Sequence, residues 1–331
     1  MTEEKTMKPI KSIHLIKSLF VVAVLVAAPL CLPAILSGAS QQENEQATVA
    51  QKGFAKPKEA AEALIKAAET FDIPSLLEIF GPDGKDLVST EDPVQDKKQA
   101  LVFAAAAREK QSLAKDPSDK NRYILSVGNQ DWPLPTPIVK RSGKWYFDSK
   151  AGHEEMLYRR IGTNELNAIT VLRGFVEAQL EYASTIHDNS GVHQYAQKLI
   201  STRGKQDGLY WENPDGTPGG PITEVVAKAI EDGYSLSPGS VYSGYYFRLL
   251  KGQGPDAPLG ELDYVIKGMM IGGFALVATP AEYGVTGIQT FIVSHDGIVY
   301  QKDLGPDSVS IAKQMELYNP DKTWTRTDDQ W

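Results

Sequence analysis

The sequence predicts an α+β protein in which blocks of helices precede antiparallel sheets. Helical spacing of apolar residues dominates residues 57–113, and short β-rich runs follow over residues 123–148. A second block begins with a long amphipathic stripe from Thr163 and continues into short strands that close on a hairpin at Asp296-Gly297. Helices and strands that are segregated along the chain favour an α+β architecture. A length of 331 residues suits two domains.

The N-terminal segment predicts export. Four lysines precede an apolar run from Leu19 to Leu36, and Ser37-Gly38-Ala39 supplies the small residues that a signal peptidase requires. We expect residues 1–39 to be a signal peptide, with a membrane anchor as the alternative because the run is just long enough to span a bilayer. Residues 40–52 are polar and aperiodic, which predicts a flexible tether. The protein is therefore expected to be exported to the periplasm or cell envelope.

The net charge limits the kinds of partner, and the cysteine content limits how the fold is stabilised. The formal net charge is −8, and the first 40 residues carry +2, so the remainder carries −10. Nucleic acid and anionic membrane surfaces are therefore poor partners. Contact with a membrane is expected only through the N-terminal segment, if that segment stays uncleaved. The single cysteine, Cys31, lies in the same segment, so the rest of the chain depends on its core rather than on disulfides.

Residues 53–150 predict a helix-backed curved sheet. Helices are expected from Pro57, from Pro74 and from Pro93 to Leu113, because proline is favoured in the first helical turn and apolar residues recur every three to four positions. The expected strands are Tyr123 to Val127, Thr136 to Lys140 and Lys144 to Asp148, with the turn Ser142-Gly143 before the last. This order resembles the nuclear-transport-factor-like superfamily, which implies a similar fold.

Residues 151–162 predict a linking helix, and residues 163–325 a second domain. Thr163 is expected to cap a long helix, with Glu165 favoured in its first turn by the helix dipole. Irregular loops are expected around residues 204–221, followed by a helix from Ile222 to Glu231. The expected strands are Ser243 to Leu250, Asp263 to Lys267, Gly273 to Thr279, Gly287 to Ser294 and Ile298 to Lys302.

A series of glycine and aromatic motifs carries a family resemblance. The motifs are Gly53-Phe54, Gly81-Pro82-Asp83-Gly84-Lys85, Gly128-Asn129-Gln130-Asp131-Trp132-Pro133, Gly143-Lys144-Trp145-Tyr146-Phe147-Asp148, Arg159-Arg160-Ile161-Gly162-Thr163-Asn164-Glu165, Asp207-Gly208-Leu209-Tyr210-Trp211, Gly244-Tyr245-Tyr246-Phe247-Arg248, Gly272-Gly273-Phe274 and His295-Asp296-Gly297. Together they resemble a bacterial family of exported proteins, the domain-of-unknown-function 2950 family, over nearly all of residues 53–324. The resemblance implies export and names no reaction.

The second half of the chain also resembles a type IV pilin. Asn164-Glu165 and the apolar positions that follow as far as Tyr182 resemble the soluble half of a pilin helix. The strand at Gly244-Tyr245-Tyr246-Phe247 and the hairpin at His295-Asp296-Gly297 resemble pilin-like sheet strands. In pilins the helix continues upstream as a hydrophobic stalk, whereas residues 53–162 stand in that place here. The resemblance therefore implies a pilin-like fold rather than filament assembly.

The sequence contains little that indicates a metal site or a catalytic nucleophile. The loop at residues 187–191 offers oxygen donors from Asp188 and Asn189, but it lacks the glutamate that closes a calcium loop, which favours a turn that ends a helix. None of the five histidines has the i, i+4 spacing of a helical zinc site. Ser294 and His295 are adjacent on a predicted strand, so their side chains point to opposite faces and do not form a nucleophile–base pair. We expect no metal and no cofactor.

Two predicted loops each place a tryptophan beside a carboxylate. They supply five candidate ligand-binding residues: Asp131, Trp132, Asp207, Tyr210 and Trp211. An aromatic ring stacks on a sugar ring or a peptide while a neighbouring acid accepts a hydrogen bond. The alternative is that both tryptophans pack against the cores of their domains.

These observations favour a non-enzymatic envelope protein that binds an unidentified ligand or protein partner. One alternative is an envelope hydrolase that uses Asp131 and Asp207 as a carboxylate pair. Another is a structural subunit that assembles through the long helix of the second domain. The sequence leaves open whether the protein is an enzyme.

Overall fold

The computed structural model describes residues 50–327 apart from residues 91, 189 and 224–242. The predicted signal peptide, most of the predicted tether and most of the predicted helix at 222–231 lie outside the described residues. The described chain is a mixed α+β structure whose sheets are mainly antiparallel. It divides into two compact units between Gly152 and His153.

The first unit opens with helices, most of which have a proline in their first turn. They are α1 (Pro57–Thr70), α2 (Ile73–Phe80), α3 (Lys85–Val88) and α4 (Pro93–Glu109), with a 3-10 turn at Pro82–Gly84. Asp92 caps α4, because its carboxylate accepts hydrogen bonds from the backbone N–H groups of Val94 and Gln95 at 3.1 and 3.0 Å. Asp72 caps α2 in the same way. Such caps satisfy the N–H groups that a helix start leaves unpaired.

The expected end of the third predicted helix, at Leu113, is wrong. α4 ends at Glu109, and Lys110 takes an extended conformation. Residues Gln111–Lys115 form strand β1, in which Leu113 pairs with Leu125. A short apolar run fits one helical turn as well as a strand, so periodicity alone did not separate the two.

The sheet of the first unit is antiparallel and packs against α1. Its strands are β1, β2 (Arg122–Val127), β3 (Trp132–Pro133), β4 (Ile138–Arg141) and β5 (Lys144–Phe147), in the order β1-β2-β4-β5 with β3 beside β2. The predicted turn at Ser142-Gly143 is confirmed, with φ values of 47° and 81°. Leu64 and Ile65 of α1 share a buried cluster with Leu125 and Phe147 of the sheet.

Helix α5 (Ser149–Ala183) is continuous over 35 residues. The helices expected at 151–162 and from Thr163 are therefore parts of one element, and Thr163 lies inside it rather than at its N-cap. The helix continues through Gly162, because a single glycine costs an α-helix only about 1 kcal/mol relative to alanine. Arg159 and Glu155 form an i, i+4 ion pair of 2.8 Å on this helix.

The second unit contains several short sheets and one larger one. After α5 come β6 (Lys198–Ile200), β7 (Gly208–Glu212) and β8 (Pro218–Gly219), which form a three-stranded sheet with β6 parallel to β7. The irregular loop expected over 204–221 is thus partly wrong. The strands that follow are β9 (Tyr245–Leu250), β10 (Gly252–Gln253), β11 (Leu262–Asp263), β12 (Val265–Ile266), β13 (Met269–Met270), β14 (Ala275–Pro280), β15 (Gln289–Ser294) and β16 (Val299–Asp303). Helix α6 (Ser308–Gln314) and β17 (Thr325–Arg326) complete the unit.

The larger sheet has the order β17-β16-β15-β14-β9 and is antiparallel throughout. The predicted Asp296-Gly297 hairpin is confirmed, because Val293 of β15 pairs with Val299 of β16 around it. Every residue of β14 is buried. Leu172 and Phe175 of α5 belong to the same buried cluster as this sheet, and the ring of Phe175 meets Phe274 edge to face at 5.5 Å.

Glu165, near the middle of α5, connects this helix to the start of β15. One carboxylate oxygen, Oε1, accepts hydrogen bonds from the backbone N–H groups of Ile288 at 2.9 Å and Gln289 at 3.0 Å. The neighbouring Asn164 donates from Nδ2 to the carbonyl oxygen of Thr286 at 2.8 Å. Glu165 was predicted to interact with the dipole at a helix start. It instead lies within α5 and holds the segment before β15 against this helix. Among residues 50–327 as described, no helix is long and apolar enough to cross a membrane.

Candidate functional site

A cleft of about 1340 Å³ lies in the second unit beside β6 and β7. Its lining comes from the end of α5, the segment before β6, the β6–β7 turn (Ser201–Asp207), β7 and the β12–β13 hairpin. The volume exceeds the roughly 300–1,000 Å³ of typical small-molecule sites. The cleft therefore has room for an extended ligand.

The segment before β6 is held on two sides. Gln179 of α5 is fully buried; its Nε2 donates to the Ala196 carbonyl oxygen at 2.9 Å, and its Oε1 accepts from the Ala196 N–H at 2.8 Å. A glutamine amide satisfies both groups of one peptide unit at once. On the other side, the Tyr195 N–H donates to the Met270 carbonyl oxygen at 2.8 Å, and Gln197 Nε2 donates to the Gly268 carbonyl oxygen at 2.7 Å. These bonds fix the cleft lining to both α5 and the β12–β13 hairpin.

Asp207 closes the β6–β7 turn. Its Oδ1 accepts from the Thr202 N–H at 2.7 Å, and its Oδ2 accepts from Thr202 Oγ1 at 2.8 Å and from Lys198 Nζ at 2.9 Å. Partial burial opposes ionisation, but the hydrogen bonds from Lys198 and Thr202 outweigh it and hold the pKa of Asp207 below its ordinary value. Asp207 is therefore an ionised carboxylate with both oxygens occupied.

Three aromatic rings form one side of the cleft. The imidazole of His187 stacks on Tyr182 with ring centroids 4.0 Å apart, and the Trp211 ring lies 5.3 Å from His187. The Tyr182 hydroxyl donates to the Gln206 carbonyl oxygen at 2.5 Å. Burial, with the nearby charges of Asp207 and Asp188, raises the pKa of Tyr182 to about 12. The group therefore stays neutral over the physiological range.

Trp211 is backed by two glycines. A Cβ at Gly219 would lie 2.3 Å from Trp211 Nε1, and a Cβ at Gly220 would lie 2.2 Å from the Leu209 carbonyl oxygen and 3.0 Å from the Trp211 ring. Only glycine allows so close an approach, and Gly220 also has φ of 90°. The indole Nε1 donates to Asn213 Oδ1 at 3.1 Å. Trp211 is half-buried, so it packs on the core with one part and lines the cleft with another.

Of the two weak metal candidates, Asp188 has both carboxylate oxygens engaged in hydrogen bonds. Asp188 lines the cleft, accepts from the Ser190 N–H at 2.9 Å and from Gln194 Nε2 at 2.7 Å, and has a lowered pKa because of these hydrogen bonds, with Ser190 contributing most. Asn189 lies outside the described residues. Among the residues that the structure describes, no three His, Cys, Asp or Glu side chains are grouped so that they could hold a metal ion.

The other two candidate residues lie in the first unit. Asp131 sits in the turn between β2 and β3 with φ of 51°, and its Oδ2 accepts from Lys110 Nζ at 2.7 Å. Trp132 was expected in a loop but begins strand β3, where it pairs with Val127 and packs against the buried cluster of this unit. The structure thus brings Asp207, Tyr210 and Trp211 to one cleft, while Asp131 and Trp132 belong to the other unit.

The hairpin residues Ser294, His295 and Asp296 do not line the cleft. Ser294 is buried and its Oγ donates to Asp296 Oδ1 at 3.1 Å. His295, at the hairpin tip, is half-buried and packs edge to face against Tyr264 at 5.9 Å and Phe274 at 6.3 Å. This arrangement fits packing rather than nucleophilic catalysis.

Sequence reasoning missed several cleft residues, chiefly Tyr182, Gln194, Tyr195, Gln197 and Gln206. Tyr182 continues the apolar spacing of the predicted long helix, which predicts only that it lies on the buried face of that helix. The glutamines lie in a stretch without periodicity or a motif, and only the contacts of Gln179 and the β12–β13 hairpin bring them to the cleft. A local excess of glutamine and tyrosine over residues 194–210 was the one available signal.

The comparisons with known proteins establish the family. A family model described as "Protein of unknown function (DUF2950)" matches residues 51–327, so the chain belongs to that family. No curated protein and no solved structure matches the chain significantly.

Proposed function

We propose that this protein is an exported, non-enzymatic binding protein of the cell envelope whose ligand occupies the cleft of the second unit. The observation that supports the proposal most is that Asp207, Tyr210 and Trp211 line one large cleft together. Concave sites with aromatic side chains and a few fixed polar groups are typical of ligand binding. The segments that form the lining are tied down by buried hydrogen bonds, as expected of a preorganised site.

The state of the two candidate carboxylates supports binding over hydrolysis. A general acid needs a raised pKa, whereas the pKa of Asp207 is lowered by Lys198 and Thr202. A general base needs a free oxygen of adequate basicity, and both oxygens of Asp207 already accept hydrogen bonds. Asp131 is ion-paired with Lys110. These contacts favour a binding role over a catalytic pair formed by Asp131 and Asp207.

A ligand screen with matched variants tests the proposal. The purified protein is screened by thermal shift against metals, glycans, peptides and nucleotides, where a ligand at about 100 times its Kd stabilises by roughly 2.7 kcal/mol. We expect a shift that disappears in Trp211→Ala and persists in Trp324→Ala, a half-buried tryptophan of the same unit that does not line the cleft. A ligand shift that survives in Trp211→Ala would contradict the cleft as the site. Turnover of a bound ligand that stops in Asp207→Asn would favour the hydrolase alternative.

Export is part of the same proposal and has its own test. It is supported by the lysine-flanked apolar run at Leu19–Leu36 and by the small residues that follow it. We expect protein recovered from the envelope fraction to begin at Ser40 when its intact mass is measured. A mass that retains residues 1–39 in a membrane fraction would support the anchor instead. Recovery in the cytoplasm alone would contradict export.

We also propose the finer fold assignments. The order of a long helix followed by an antiparallel sheet, with Leu172 and Phe175 of α5 in the sheet's core, supports a pilin-like second unit. Helices α1–α4 ahead of the antiparallel sheet support a nuclear-transport-factor-like first unit. An experimental structure compared with both folds tests these assignments. Sedimentation at high concentration tests the assembly alternative, which requires oligomers that grow with concentration.

A further inference from the structure

We infer that the ligand of the cleft is a neutral oligosaccharide, an inference that rests on the binding function proposed above. The charges of the side chains that line the cleft cancel. Three cations, Lys198, Arg203 and Lys205, are balanced by three carboxylates, Asp188, Asp207 and Glu212, in a chain with a net charge of −8. A site for an anion or a cation would show an excess of the opposite charge. The balance favours a ligand without net charge.

Three glutamines in the lining each have one end of the side-chain amide in a hydrogen bond within the protein. Gln194 Nε2 donates to Asp188, and Gln197 Nε2 donates to the Gly268 carbonyl oxygen. Because only the NH2 end of an amide can donate to these oxygens, the orientation of both amides is set by chemistry. Their Oε1 atoms have no hydrogen-bond partner among the described residues and remain as acceptors. An amide that is held at its NH2 end and has an available Oε1 acceptor is suited to binding a sugar hydroxyl, because hydroxyl groups both donate and accept hydrogen bonds.

Gln206 supplies a third such group beside the aromatic rings. Its Oε1 lies 3.2 Å from His187 Nδ1, and its Nε2 has no partner in the described part of the chain. His187 Nε2 lies 2.9 Å from the Tyr182 carbonyl oxygen, which needs a donor, so this imidazole is held by both nitrogens. In either orientation of the Gln206 amide, one of its ends remains for a ligand. The amide therefore stands next to the Tyr182–His187–Trp211 rings, where a sugar ring would stack.

The volume of the cleft also favours a ligand of several sugar residues. A cleft of about 1340 Å³ exceeds what one small ring requires. Its aromatic and amide groups are spread over several lining segments, from the end of α5 through β7 to the β12–β13 hairpin. A chain of several sugar residues would reach these groups together, whereas a monosaccharide would leave most of them unused. An oligosaccharide is therefore a better match than a single sugar.

Titration of neutral hexasaccharides into the full-length protein tests the inference. The probes are cellohexaose, maltohexaose and hexa-N-acetylchitohexaose, with hexaguluronate and a pool of charged and uncharged hexapeptides for comparison. We expect one neutral hexasaccharide to bind with an affinity that changes less than about twofold between 50 and 500 mM salt, because no net charge is screened. Gln206→Met and Gln197→Met are expected to weaken binding about tenfold each. Gln314→Met, on the exposed end of α6 outside the cleft, is the matched control and should leave the affinity unchanged.

The outcomes separate this inference from the proposed function. Binding of hexaguluronate or a peptide alone, lost in Trp211→Ala, would overturn the neutral oligosaccharide while the binding function stands. Binding of a neutral hexasaccharide that is unchanged in both glutamine variants would also overturn it. If no probe binds in a manner that depends on Trp211, and the wider thermal-shift screen also finds no such ligand, the proposed function fails together with the inference.

Discussion

The His187 imidazole lies stacked on the Tyr182 ring, with centroids 4.0 Å apart and ring planes inclined by 17°. Tyr182 is the last buried residue of α5, and its hydroxyl reaches the Gln206 carbonyl oxygen in the β6–β7 turn. One residue thus joins the helix end, the loop that follows it and the turn of the small sheet. The aromatic side of the cleft is consequently an extension of the protein core.

Gln179→Leu should destabilise the protein by about 2–4 kcal/mol. The change leaves the buried N–H and C=O groups of Ala196 without partners, and each such group costs roughly 1–3 kcal/mol. Urea unfolding measures the effect. The matched variant Gln314→Leu changes an exposed glutamine of the same unit and should stay within about 0.5 kcal/mol of the parent. Equal stability of the two variants would contradict the role given to Gln179.

Gly220→Ala should destabilise the protein more than Gly204→Ala. Both glycines have positive φ, so both substitutions carry a left-handed strain of about 1–2 kcal/mol. At Gly220 the new Cβ would also collide with the backbone, because it would lie 2.2 Å from the Leu209 carbonyl oxygen. A Cβ at Gly204 would meet no other part of the protein within 4 Å. Thermal unfolding of the pair measures the difference. A loss at Gly204 as large as that at Gly220 would show that contact behind Trp211 is not the cause.

Asp207→Asn should reduce the acid sensitivity of the protein. Because the folded-state pKa of Asp207 is lowered, its ionised form stabilises the fold fully above the ordinary value of 3.8, and the contribution is lost as the pH falls through the folded pKa. The variant should be less stable than the parent at pH 7, and the difference should shrink below pH 4. Unfolding free energies at a series of pH values measure it. A difference that grows on acidification would have the wrong sign for this account.

Tyr182→Phe should flatten the loss of stability at alkaline pH. The pKa of Tyr182 is raised to about 12, so between its ordinary value of 10.0 and pH 12 the unfolded chain releases a proton that the folded chain keeps. Stability therefore falls with rising pH, by up to about 1.4 kcal/mol per pH unit for one such group. Tyr245, Tyr264 and Tyr318 are also buried and also have raised pKa values. The stability of the variant therefore still falls with rising pH, but less steeply than that of the parent. Parallel slopes in parent and variant would rule out this role for Tyr182.

Local signals in the sequence predicted much of the fold. The Ser142-Gly143 and Asp296-Gly297 turns were identifiable because glycine and its neighbours fix turn geometry within a few residues. The helix start at Pro57 was equally local. The continuity of α5 through Gly162 was not predictable, because packing overrides the small helix propensity of one glycine.

The candidate site was only partly predictable. Asp207, Tyr210 and Trp211 were identified by residue type, although Tyr210 and Trp211 lie in strand β7 rather than in a loop. Glycine and proline around residues 204–221 obscured that strand. The glutamines of the cleft depend on contacts between residues far apart in the chain, such as Gln197 with Gly268 across 71 positions. No local pattern records such contacts.

Hydrogen–deuterium exchange with and without a saturating ligand tests the central claim most directly. The ligand is the one that gives the largest shift in the thermal screen. We expect slower exchange in peptides that contain the cleft-lining residues Tyr182, Gln197, Gln206, Trp211 and Gly268, and little change in strands β2 to β5 of the first unit. Protection confined to the first unit, with none in the peptides that contain these cleft-lining residues, would contradict the assignment of the cleft as the binding site.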